Sequence, residues 1–310
     1  MDASIVSDPA TLTGQGHLIA DYREFVTKYD SRHHALDLGN DGPGSKATLN
    51  TPSAVAVDNR GDVFIADTQN NMVREVTPNG IIHDVAGTGR AGYSGDGGWA
   101  VRAELDNPSG VAVDNRGDLF IADTYNNVIR EVTPNGRIET IAGNPRHGGY
   151  AGNGGPARHS LLRDPQGISL DRQGDLFIAD SGNSVIREIT TLGIIKTVAG
   201  EPDRFGFDGD GAGATHTELS GPTDVAVDAA GDLFIADTGN NALREVSAKT
   251  GAISTVAGAN GEGNGGQGGP AASAQLDGPE GVAVDSSTGD VYVTSRSGVL
   301  DQITGLPATS

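Results

Sequence analysis

The stretch Pro108-Ser-Gly-Val-Ala-Val-Asp-Asn-Arg-Gly-Asp-Leu-Phe-Ile-Ala-Asp-Thr-Tyr-Asn-Asn127 decides the fold. It contains two short apolar runs joined by Asp114-Asn-Arg-Gly-Asp118, where the Gly suits a tight hairpin. The same phrase begins at Pro52, Pro108, Pro165, Pro222 and Pro279, at intervals of 56, 57, 57 and 57 residues. In the second copy the chain continues through Val128-Ile-Arg-Glu-Val132, the turn Thr133-Pro-Asn-Gly136, Ile138-Glu-Thr-Ile-Ala142 and a Gly-rich loop. A fixed period of this kind marks a repeat architecture, in which each unit buries its faces against its neighbours.

The four runs differ in character. Gly110-Val-Ala-Val-Asp114 alternates small residues with Val, as a strand in a crowded place would. Leu119-Phe-Ile-Ala122 is apolar without alternation, which predicts burial on both faces. The third and fourth runs mix apolar and polar positions and belong further out. Four antiparallel strands per repeat describe a blade, so the chain is expected to be an all-β propeller, residues 1–310 forming a single domain. A parallel solenoid is the competitor, but its coils have shorter periods and lack repeated hairpin turns. The fifth copy ends without a fourth strand. Either Ala35–Leu38 supplies it and there are five blades, or residues 3–38 form a degenerate blade and there are six; six is the favoured count. Residues 1–38 are irregular, with a helical turn over Asp21–Lys28 as the alternative, 39–304 carry the clear repeats, and 305–310 are a tail.

Composition narrows the function. The net charge is −20, from 41 acidic and 21 basic residues, which disfavours phosphate backbones and anionic membranes. There are no cysteines, so disulfides, thiolate catalysis and Cys-based zinc sites are excluded. Residues 1–20 show no basic-then-apolar leader. A cytosolic chain or a mature exported form is expected, the exported form slightly favoured.

The phrase Gly110–Val132, followed by Ile141-Ala-Gly143 and Gly152-Asn-Gly-Gly-Pro-Ala157, resembles the NHL repeat, in the long-loop variety of bacterial proteins. The resemblance covers residues 39–304. It implies a propeller, typically of six blades, and a binding surface more often than a catalyst. Ser295 departs from the pattern, standing where the other copies have Asp67, Asp123, Asp180 and Asp237.

Those four Asp residues offer two readings. They could ring a channel mouth as ligands, or each could cap its own turn through nearby backbone N–H groups, which is preferred. On the capping reading, Asp123→Ala costs about 1–2 kcal/mol. The Gly-rich loops add Asp208 and Asp210, whose alternate carboxylates suit calcium, although no distal Glu completes such a site. One loop position varies from copy to copy as Lys46, Arg102, His159, His216 and Ser273, leaving outward groups that could hold an anion or a metal. The pair His33-His34 reads as surface. Arg74, Arg130, Arg187 and Arg244, each before a Glu, read as repeated ion pairs between blades. No Ser/His/Asp order, HExxH or phosphate-loop motif is present. The expected function is recognition or scaffolding of a protein or carbohydrate through the loop-rich face, with no cofactor unless calcium. The alternative is a propeller hydrolase or lyase with a metal-assisted site at the channel mouth.

Overall fold

The computed structural model describes residues 4–6, 38–208, 210–258 and 261–304. They form five four-stranded antiparallel sheets, the blade architecture of a β-propeller. The first blade holds β2 (Ala54–Val57), β3 (Val63–Asp67), β4 (Met72–Val76) and β5 (Ile82–Ala86). The second holds β6 (Pro108–Val113), β7 (Leu119–Asp123), β8 (Val128–Val132) and β9 (Ile138–Gly143). The third runs over β10 (Pro165–Leu170), β11 (Leu176–Asp180), β12 (Val185–Ile189) and β13 (Ile195–Ala199). The fourth contains β14 (Asp224–Val227), β15 (Leu233–Asp237), β16 (Ala242–Val246) and β17 (Ile253–Gly258). The fifth contains β18 (Pro279–Val284), β19 (Val291–Ser295) and β20 (Leu300–Thr304), and takes β1 (Ser4–Val6) as its outermost strand.

That last pairing corrects the expectation for the N-terminus. Ser4, Ile5 and Val6 pair with Thr304, Ile303 and Gln302. The missing fourth strand therefore comes from Ser4–Val6 and not from Ala35–Leu38. Five blades, not six, are present among the described residues. The remaining runs of the degenerate-blade reading, the alternative helical turn and His33-His34 lie outside those residues.

The fold divides into two compact units, residues 14–146 and residues 1–13 with 147–310. In the first, Phe64, Ala66, Val73 and Ala86 of one blade pack with Val111, Leu119, Ile121, Val132 and Ile138 of the next. Ala100, Ala103 and Leu105 of the long loop fill the wedge between them. The second unit repeats this design: Ala214 and Leu219 lie between the third and fourth blades, and Ala271, Ala274 and Leu276 between the fourth and fifth. Successive residues of the second strand thus serve two neighbours, which is why that run is apolar without alternation.

Side chains latch one blade to the next. Asn71, Ser184 and Asn241 adopt the left-handed conformation after the Asp turns. Their side-chain oxygens accept the N–H groups of Asn107 (2.9 Å), Gly221 (3.0 Å) and Gly278 (2.8 Å). Asn and Ser suit the position because a short polar side chain tolerates positive φ and still reaches a backbone donor.

Candidate functional site

In the first four blades the incoming loop ends beside the Asp turn, while its middle bridges to that blade's outermost strand. Before the second blade, Gly97 donates to the Ile138 carbonyl (2.8 Å) and Ile138 donates to Gly98 (3.1 Å). The loops therefore line the outer edge of the blades as well as the end that carries the Asp turns.

Beneath each loop of the first four blades sits a polar module. In the second blade, Asp123 Oδ1 accepts the Asp106 N–H at 2.8 Å, and Asn126 Nδ2 donates to both carboxylate oxygens at 2.9 Å. Arg130 Nη1 lies 3.3 Å from Asp123 Oδ2, and its Nη2 donates to Ser94 O (3.0 Å) and Asp96 Oδ1 (2.7 Å). The Tyr93 ring covers the guanidinium at 4.8 Å. Arg187 lies over Tyr150 at 4.6 Å and Arg244 over Phe207 at 4.7 Å in the same way. All four Asp and all four Arg side chains are fully buried.

Two expectations change. The Asp residues do not cap their own turns; each bonds an N–H 17 residues upstream, on the incoming loop. The Arg residues pair with the Asp of their own blade, so the ion pairs are not between blades. Burial pushes Asp123, Asp180 and Asp237 up to about 6, against the pull of their hydrogen bonds and Arg partners.

Asp210 belongs to this module as well, accepting from Arg244 (3.1 Å) and Thr255 (2.9 Å). Asp208 Oδ1 accepts the Glu218 N–H at 2.8 Å. No group of three or more His, Cys, Asp or Glu able to hold a metal occurs among the described residues.

Lys46, Arg102, His159 and His216 are exposed. Each ends a three-residue 3-10 turn whose first residue is buried: Gly44–Lys46, Ala100–Arg102, Ala157–His159 and Ala214–His216. The fold places them at one position on four different blades.

Two further breaks in the symmetry carry no motif of their own in the sequence. Asp224, on the inner strand β14, stands where the other blades have Ala54, Gly110, Gly167 and Gly281. Its Oδ1 accepts the Val225 N–H and its Oδ2 the Val282 N–H of the next inner strand, both at 2.9 Å. A Cβ on Gly167 would lie 2.0 Å from Asp224 Oδ1, so the third blade has no room for a side chain there. Burial raises Asp224 to about 7. The second break is an isolated bridge from loop to outer edge. It is Pro43–Ile81, Pro156–Ile194 and Gly213–Ala252 in three blades but Trp99–Arg137 in the second. Aligning the repeats singles out Asp224, Trp99 and Arg137 one by one, but not the pairing of the last two.

The comparisons follow the same repeats. The family description "Teneurin NHL domain" matches residues 89–150 and 144–206, and "NHL repeat" matches residues 219–245. Mouse teneurin-1 is 31% identical over 242 residues, covering 71% of this chain and 9% of that protein. The chain thus spans a small part of the curated relatives it matches. Among solved structures, an auxiliary nutrient binding protein from Bacteroides thetaiotaomicron aligns with a TM-score of 0.60 at 13% identity, covering 83% of this chain and 60% of the other. A streptogramin B lyase aligns with a TM-score of 0.51 at 16% identity, covering 82% and 64%. At these identities the likeness is one of fold. With its repeated Asp-Thr-x-Asn turns, its four-stranded blades and these matches, the chain belongs to the NHL-repeat β-propeller family.

Proposed function

We propose that the chain is a recognition module that grips a carboxylate-bearing segment of a protein partner at the edge of its second blade, around Trp99 and Arg137. The paired replacement at the loop-to-edge bridge carries this reading. Pro with Ile, or Gly with Ala, suffices to build that bridge elsewhere, so the fold does not require Trp and Arg. Trp99 and Val101 are each 47% exposed, and Arg102 follows them on the same turn. Arg137 lies 4.4 Å over the Trp99 ring and spends one N–H on the Gly97 carbonyl at 3.2 Å. It pairs with no carboxylate among the described residues, which leaves most of its planar fork for a partner. An exposed Trp beside Arg is the composition of interface anchors. Because Arg137 already covers the ring, flat stacking of a neutral sugar is disfavoured relative to a carboxylate. Lys46, His159 and His216 present other chemistry at the Arg102 position of other blades.

Trp99 is the single tryptophan, so its fluorescence reports on this patch alone. The probe is a peptide Glu-Leu-Glu-Phe-Glu, with Gln-Leu-Gln-Phe-Gln as its neutral counterpart. A saturable change is expected with the Glu peptide, at about tenfold lower affinity for the Gln peptide or for Arg137→Ile protein. Equal responses to the two peptides, or a response only to neutral oligosaccharides, would remove the proposal.

A further inference from the structure

The fifth blade keeps the backbone of the polar module and replaces its chemistry. Pro279 pairs with Ser295 as Pro108 pairs with Asp123, so Ser295 occupies the Asp position. Val293 pairs with Asp301 as Ile121 pairs with Arg130, so Asp301 occupies the Arg position. The loop bridge Glu262–Leu276 matches Ala91–Leu105 and Phe205–Leu219. Counting on from it, Asn264 stands where Tyr93 and Phe207 stand, and Gln267 where Asp96 and Asp210 stand. Elsewhere the centre of the module is a buried carboxylate facing a buried guanidinium. Here it is a hydroxyl and a carboxylate, with no cation.

Both replacements remain buried, Ser295 at 6% and Asp301 at 2% exposure. Ser295 Oγ and Asp301 Oδ1 have no hydrogen-bond partner among the described residues. A buried carboxylate oxygen without a partner is costly and is relieved by a bound cation or by protonation. Burial alone raises the Asp301 carboxyl, and no charged side chain offsets it. In the other blades the guanidinium also draws on a loop carbonyl: Leu38 O, Ser94 O, Ala151 O or Asp208 O. The fifth blade's equivalent is Gly265 O.

We propose that this slot binds a hard monovalent cation, sodium or potassium, through Asp301, Ser295 Oγ and the Gly265 carbonyl, with Gln267 at its mouth. All the donors are oxygen, which suits a hard ion and not a transition metal. One carboxylate balances one positive charge, whereas calcium sites gather several carboxylates. The ion takes the electrostatic place that arginine holds in the first four blades.

The test is thermal unfolding of the whole chain in sodium, potassium or choline chloride at equal ionic strength, with millimolar calcium as a further arm. Sodium or potassium is expected to raise Tm by about 2 °C or more over choline. Asp301→Asn is expected to abolish that difference. Ser295→Asp with Asp301→Arg, which rebuilds the module of the other blades, should also abolish it while keeping the fold. Sodium-23 line broadening on folded protein, lost in Asp301→Asn, gives a readout independent of stability. Identical Tm in all three salts means that water alone satisfies Asp301 and overturns the proposal. So does an ion-specific shift that survives Asp301→Asn. A response to calcium alone replaces the monovalent site with a divalent one.

Discussion

The second and fifth blades follow one backbone path and differ at its polar centre. In the second, Asp123 accepts from Asn126 and faces the Arg130 guanidinium, which Tyr93 covers and whose Nε alone has no hydrogen-bond partner among the described residues; that charge-matched arrangement recurs with changes in the first, third and fourth blades. In the fifth, Ser295 and Asp301 are buried in the same places, and neither Ser295 Oγ nor Asp301 Oδ1 has a hydrogen-bond partner among the described residues. The sheet therefore does not depend on the ion pair for its pairing register. What the ion pair does is fasten the incoming loop, since Arg130 reaches Ser94 and Asp96 while Asp123 holds Asp106.

The contrast is broken most sharply by removing one partner of the intact module. Arg130→Met is expected to cost about 3–5 kcal/mol in urea unfolding, because Asp123 is left buried without its cation. Asp123→Ala should cost a comparable amount, more than the local-cap expectation, and the double variant Asp123→Asn/Arg130→Met less than the sum of the two. At the matching place in the fifth blade the sign reverses. With choline as the salt cation, Asp301→Asn should stabilise the chain by about 1 kcal/mol at pH 7, since it removes a charge that burial disfavours.

A smaller effect separates carboxylates with and without an arginine. Loss of solvation on the inner strand pushes the Asp224 carboxyl up to about 7 from its ordinary 3.8, a direction in which the folded state holds the proton more tightly than the unfolded chain does. Its contribution to stability is full below about 3.8 and is lost as pH rises through about 7. Comparing wild type with Asp224→Asn from pH 4 to 7.5 should isolate a decline of at least about 1 kcal/mol. Replacing His159 and His216 together with Ala should do least, within about 0.5 kcal/mol, and elemental analysis before and after should find no tightly held zinc to release.

Most of the fold was legible because the repeat writes each turn several times. Gly-rich hairpins, the non-alternating second strand and the Pro-Asn-Gly turn are local signals. Ser4–Val6 was legible only as a short apolar run, because three residues carry no turn chemistry that names a partner at Leu300–Thr304. The break at Ser295 was visible in the sequence, but the meaning of Asp301 depends on strand register, which sets it opposite Val293. Trp99 and Arg137 are far apart along the chain, and only the loop bridge makes them a pair. The Arg residues were seen as ion-paired, but their aromatic lids come from loops whose path the sequence does not state.

The β1–β20 pairing also fixes an order of assembly. Four of the sheets are built from strands consecutive in the chain, so all of their own strands are available once that stretch has been synthesised. The fifth needs Ser4–Val6 to meet Leu300–Thr304, the first and last described segments of the chain. At synthesis rates of roughly 5–20 residues per second, the early strand waits on the order of tens of seconds for its partner. Until then the partner of β1 does not exist, and closing so long a loop carries the largest entropic cost among the described strand pairings.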